Sequence, residues 1–145
     1  MNSSVHILMV EDNHDDIIIM KDVLTKHEMA DSVAVVRNGE EAINYVFKKK
    51  EFVNVITPDL ILLDLNLPRR NGIEVLQDIK GHADFCHLPI IVLTTSSSAE
   101  DIASCYKAQA NAFITKPADA ISLYNTIGDI KSFWFRTAQL PAKHV

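Results

Sequence analysis

An α/β fold built on a parallel sheet is the architecture this sequence predicts, on three observations. Short apolar runs alternate with stretches of helical periodicity five times along the chain, the pattern of repeated strand–helix units. The runs are apolar at consecutive rather than alternate positions, as strands buried on both faces must be. Helix-capping residues follow several of them within a few positions, which keeps the connections short.

The first strand is His6-Ile7-Leu8-Met9-Val10, ending on two acids, Glu11 and Asp12. Asn13 is the expected cap of the first helix, with Asp16 three residues on and Ile17, Met20, Val23 and Leu24 at helical spacing. Val33 to Val36 is the second strand. Asn38-Gly39-Glu40-Glu41 opens the second helix, which turns Ala42, Ile43, Val46 and Phe47 to the core. The basic run Lys48-Lys49-Lys50 before Glu51 reads as a solvated helix end, where cations suit the dipole.

Leu60 to Leu63 is the third strand, bounded by Pro58 before it and by Pro68 and Asn71-Gly72 after it. It stops at a carboxylate, Asp64. Asn71 caps the third helix with Glu74 at the capping-box position, Val75, Leu76 and Ile79 form its inner face, and Gly81 helps to end it. Pro89 to Leu93 is the fourth strand, stopping at Thr94. Ser97 or Ser98 caps a fourth helix, from Ala99 to Ala108, whose weak apolar face predicts loose docking. Ala112-Phe113-Ile114 is a short fifth strand, followed by Thr115-Lys116-Pro117. The last helix carries Leu123, Ile127, Ile130 and Trp134 at steps of three and four.

Short connections and right-handed crossovers leave a flavodoxin-like strand order, 2-1-3-4-5, in a three-layer (βα)5 sandwich. No repeat, linker or low-complexity tract divides the 145 residues, so one domain is expected over 1–145, with a core over 5–136 and a tail over 137–145. No DNA-binding or enzymatic output domain is expected after residue 136.

Composition narrows the functions. Apolar residues make up 48% and charged residues 23%, as in ordinary globular proteins. A net charge of -5 argues against broad nucleic-acid or anionic-membrane binding. The two cysteines, Cys86 and Cys105, are read as lying inside elements and lack metal-type spacing, pointing to a reduced cytosolic protein. No signal peptide or membrane-length apolar run is present, so a cytoplasmic location is expected. The six histidines, His6, His14, His27, His82, His87 and His144, form no ligand cluster.

In this topology the ends of the first, third, fourth and fifth strands meet along one sheet edge, delivering Glu11 with Asp12, Asp64, Thr94 and Lys116. Three carboxylates gathered there repel one another unless a cation joins them. Hard oxygen ligands of this kind suit Mg²⁺, with one or two carboxylates and a phosphoryl oxygen in its shell. Lys116 and the Thr94 hydroxyl add a positive charge and a donor. The chain has no G-x-x-x-x-G-K, G-x-G-x-x-G or G-x-S-x-G motif.

These residues resemble the receiver domain of two-component response regulators over essentially the whole chain. The pieces are Val10-Glu11-Asp12-Asn13, Leu63-Asp64-Leu65-Asn66-Leu67-Pro68 with Asn71-Gly72, Val92-Leu93-Thr94-Thr95, and Ile114-Thr115-Lys116-Pro117. The resemblance implies that Asp64 takes a phosphoryl group from a histidine kinase. It implies that Mg²⁺ (or Mn²⁺) binds at Glu11, Asp12, Asp64 and the backbone carbonyl of Asn66. Thr94 and Lys116 would then contact the phosphoryl group, Phe113 would be the switch aromatic, and Lys116–Pro117 would be a cis peptide bond. Leu67-Pro68-Arg69-Arg70-Asn71-Gly72, the Leu93 to Ser96 run and the Phe133-Trp134-Phe135 ending before Leu140-Pro141 look most like the stand-alone regulators paired with phytochrome kinases. The aromatic residues Tyr124, Phe133, Trp134 and Phe135 suggest a homodimer through the C-terminal region; the alternative is that they fold back over the domain's own core.

Three other readings compete. Phosphatases of the haloacid-dehalogenase kind place their nucleophile on the first strand, with an aspartate two residues on; here the acid is on the third strand and that position is Asn66. A pure docking module gives no reason to keep five such groups together. A flavodoxin proper would carry flavin colour.

Overall fold

The computed structural model describes residues 5–29 and 31–142. Five strands and five helices alternate: β1 (His6–Val10), α1 (His14–Lys26), β2 (Ser32–Val36), α2 (Gly39–Val46), β3 (Leu60–Leu63), α3 (Gly72–Lys80), β4 (Ile90–Thr94), α4 (Ala99–Lys107), β5 (Ala112–Thr115) and α5 (Ala120–Lys131). The sheet is parallel, in the order β2-β1-β3-β4-β5. This is the predicted flavodoxin-like order.

The strands lack polar alternation because each face of the sheet is covered. On one face Leu8, Val10, Ile61, Leu63, Ile90 and Val92 pack with Val46 of α2, with Val75, Leu76 and Ile79 of α3, and with Cys105 of α4. On the other face Ile7, Met9, Leu60, Leu62, Ile91 and Leu93 meet Ile17, Met20 and Leu24 of α1 and Leu123, Ile127 and Ile130 of α5. Each such side chain contributes about 1.5–3 kcal/mol by leaving water.

The caps fall where the sequence puts them. Asn13 Oδ1 accepts from Asp16 N–H, Asn38 Oδ1 from Glu41 N–H, and Ser98 rather than Ser97 accepts from Asp101 N–H. Asn71 and Glu74 form the full capping box. Three local expectations are corrected. The lysine run lies beyond α2, where Lys48 and Lys50 take positive φ and a short 3-10 turn spans Lys50–Phe52. α5 ends at Lys131, and Trp134 belongs to a π-helical turn over Ser132–Thr137. Cys86 lies in the turn after α3 rather than inside an element; both cysteines are free thiols. Of the C-terminal aromatics, Trp134 and Phe135 fold back against the α1–α5 core, whereas Phe133 and Tyr124 stay outward. No helix among the described residues is long and apolar enough to cross a membrane.

Candidate functional site

β3 delivers Asp64 to the C-terminal edge of the sheet, where 12% of its side chain is exposed. Asp64 Oδ1 accepts from the Leu65 N–H at 2.7 Å and more loosely from the Asn66 N–H at 3.4 Å. The following turn is held by close backbone packing. Gly72 donates its N–H to the Leu65 carbonyl at 3.0 Å, and a Cβ on Gly72 would fall 2.4 Å from the Asp64 carbonyl oxygen. From α2, a Cβ on Gly39 would fall 1.9 Å from the Arg70 carbonyl oxygen. Only a residue without a side chain allows either approach.

Lys116 reaches across the edge from the end of β5. Its N–H donates to the Thr94 carbonyl at 2.6 Å. Its ammonium donates to Glu11 Oε1 at 2.7 Å and to Asp16 Oδ2 at 3.2 Å, and faces Asp64 Oδ2 at 3.5 Å. One cation thus serves three carboxylates. Burial pushes the Glu11 carboxyl up to about 8, the neighbouring Asp64 adds to the rise, and Lys116 only partly opposes it. Asp64 moves the other way: burial alone would raise it, but Glu11, Lys116, Thr94 and the Asn66 N–H together hold it below its ordinary value. Burial likewise opposes the Lys116 charge, yet Glu11, Asp64 and Asp16 outweigh it and raise the ammonium's pKa. Asp64 therefore stays ionised, and Glu11 is the acid of this cluster whose charge burial disfavours most.

Two buried polar atoms at this edge, Glu11 Oε2 and Thr94 Oγ1, have no partner of hydrogen-bond geometry. Both residues nevertheless lie near enough to Asp64 to shift its titration. Unsatisfied buried oxygens are costly, and hard oxygens carrying excess negative charge are the donor set that Mg²⁺ or Mn²⁺ takes. The donor chemistry therefore fits a divalent cation. The closeness of a complete cage does not: Asp12 is exposed, and no three His, Cys, Asp or Glu side chains among the described residues are set to hold a metal ion.

Of the residues singled out from sequence, Glu11, Asp64, Thr94 and Lys116 come together. Asp12 and Asn66 lie exposed at the rim, and Phe113 is half-buried on β5. The Lys116–Pro117 bond is a correction, since no peptide bond among the described residues is cis. The trans form is favoured by about 0.5–1 kcal/mol before any tertiary demand, and Lys116 reaches its partners from it. Local pattern marks Asp16 only as a capping position; its contact with Lys116, 100 residues away, has no signal in the sequence.

A doubly wound parallel sheet carrying an acidic pocket and a lysine at its C-terminal edge defines a class of small α/β proteins that bind charged groups there. Within it, residues 7–128 match the response regulator receiver domain, and the chain belongs to that family. It is 37% identical over 136 residues to response regulator Rcp1 of Synechocystis sp., covering 94% of this chain and 92% of the relative. The crystal structure of the phosphorylated cyanobacterial phytochrome response regulator RcpA superposes with a TM-score of 0.92 at 39% identity, covering 97% of this chain and 100% of that one. The Mn²⁺-bound form of Rcp1 gives 0.89 at 36% identity, covering 95% and 99%.

Proposed function

We propose that this chain is the phosphoacceptor of a two-component system, with residues 1–145 working as one receiver unit in the cytoplasm, and that Asp64 takes the phosphoryl group from a phosphohistidine of a histidine kinase. The observation that carries this is the Asp64–Lys116–Glu11 constellation: a carboxylate held ionised, largely enclosed at the sheet edge, and facing an ammonium at 3.5 Å. An Asp64 carboxylate oxygen forms the new O–P bond as the P–N bond to the histidine ring breaks, and the ring nitrogen keeps that electron pair. Lys116 offsets charge on the transferring oxygens. Glu11, Asp12, Asp64 and the Asn66 carbonyl would hold Mg²⁺ or Mn²⁺, which supplies further charge neutralisation when bound.

The new phosphoryl group gives the unpartnered Thr94 hydroxyl an acceptor. Drawing Thr94 toward it leaves room for Phe113 to turn inward and reshapes the surface of α4, β5 and α5. Self-catalysed phosphotransfer and autodephosphorylation complete the cycle. The kinase is of the phytochrome type, a reading supported by the likeness to Rcp1 and RcpA. A second copy docks through the C-terminal region, where Phe133 and Tyr124 face outward.

Incubation with acetyl phosphate and Mg²⁺ tests the central point. The wild-type chain is expected to gain an acid-labile phosphoryl group and to change its sedimentation; Asp64→Asn is expected to do neither. Persistent labelling of Asp64→Asn would remove Asp64 from the role.

A further inference from the structure

Asp16 lies in the first turn of α1, where a carboxylate suits the helix N-terminus. Its backbone N–H is fixed by the Asn13 cap at 2.9 Å, so the position of the residue is set by the start of α1. From there Oδ2 reaches the Lys116 ammonium at 3.2 Å, closer than Asp64 at 3.5 Å. Lys116 itself is largely enclosed, with 12% of its side chain exposed, whereas Asp16 is 42% exposed. A pair this open to water adds little to stability. What it does is geometric. Glu11 grips the ammonium from β1 and Asp16 grips it from α1, so Nζ is bracketed and held facing Asp64.

We infer that Asp16 is a positioning residue for Lys116, holding the ammonium at the phosphoacceptor edge from the first turn of α1. The inference rests on the reading of Asp64 as phosphoacceptor. Glu11 is also a candidate cation ligand, so its carboxylate has two claimants. Asp16 has one. When Glu11 is otherwise engaged, Asp16 is the carboxylate that keeps Lys116 oriented. A long, flexible lysine side chain loses substantial rotamer freedom when fixed, and two anchors on different elements limit that freedom more than one.

The test uses the full chain with Asp16→Asn and Asp16→Glu. At saturating Mg²⁺, where Glu11 is engaged by the cation, the ¹⁵N-detected ammonium signal of Lys116 reports directly on its restraint, because held ammonium protons exchange slowly. That signal is expected in wild type, lost in Asp16→Asn and regained in Asp16→Glu. With acetyl phosphate, the maximal phosphorylation rate of Asp16→Asn is expected to fall about three- to tenfold, with half-saturating Mg²⁺ unchanged and Asp16→Glu recovering much of the rate. An unchanged ammonium signal in Asp16→Asn overturns the inference. So does a raised Mg²⁺ requirement with full maximal rate, which would make Asp16 a ligand instead. If the wild-type chain accepts no phosphoryl group, the phosphoacceptor reading fails, while the ammonium signal still decides whether Asp16 positions Lys116.

Discussion

α3 and α4 are each nine residues long and lie on the same face of the sheet, yet they are held in opposite ways. α3 buries Gly72, Val75, Leu76 and Ile79, and its first residue is wedged against the Asp64 carbonyl. α4 buries Cys105 alone. Its other ties are polar: Ser96 Oγ donates to Asp101 Oδ2 at 2.6 Å, Thr115 Oγ1 donates to the Ser96 carbonyl at 2.9 Å, and Tyr106 Oη accepts from the Phe113 N–H at 3.1 Å. Apolar burial cannot be exchanged without losing it, whereas hydrogen bonds can be traded for others at small net cost. The α3 side is therefore held by burial and the α4 side by exchangeable hydrogen bonds.

The sharpest way to break this contrast is Leu76→Ala in α3. Leu76 is fully buried, and its truncation is expected to cost about 2–5 kcal/mol in urea unfolding. A cost as small as that of an α4 surface change would erase the distinction.

Next in size is the charge left at the acceptor edge. Burial raises the Glu11 carboxyl from an ordinary 4.5 to about 8 in the folded protein. Between those values the folded state binds the extra proton, so metal-free stability is expected to fall as pH rises through that window. Asp64 and Lys116 act outside it, one being lowered from an already acidic value and the other raised from an already basic one. Glu11→Gln is expected to flatten the slope, and an unchanged pH profile of unfolding in that variant would show that Glu11 does not carry it.

The smallest effect belongs to α4. Tyr106→Phe removes one hydroxyl from the Phe113 N–H and is expected to cost about 0.5–1.5 kcal/mol. Hydrogen exchange is expected to quicken at Phe113 and in α4 while α3 amides keep their protection. Equal loss of protection in both helices would mean that they open as one unit.

The strand order and the helix caps were legible because they depend on local signals. Leu60 to Leu63 announces a doubly buried strand by its four consecutive apolar residues, and Asn13, Asn38, Asn71 and Ser98 announce helix starts through bonds spanning three residues. The gathering of Glu11, Asp64, Thr94 and Lys116 was legible one step further on, since parallel strands deliver their ends to one edge. Asp16 was not, because helical periodicity says nothing of a partner on β5. The trans bond at Lys116–Pro117 and the inward turn of Trp134 and Phe135 were equally hidden.

What the sequence determined by itself was the alternation of elements, the two apolar faces and the edge to which the charged side chains come. These follow from periodicity and chain connectivity, which are properties of neighbours along the chain. The tertiary structure alone decided which carboxylates share the one ammonium, which of them burial raises, and which helix is held by burial. Those outcomes turn on distances of a few ångströms between residues far apart in sequence, where desolvation and Coulomb attraction change steeply.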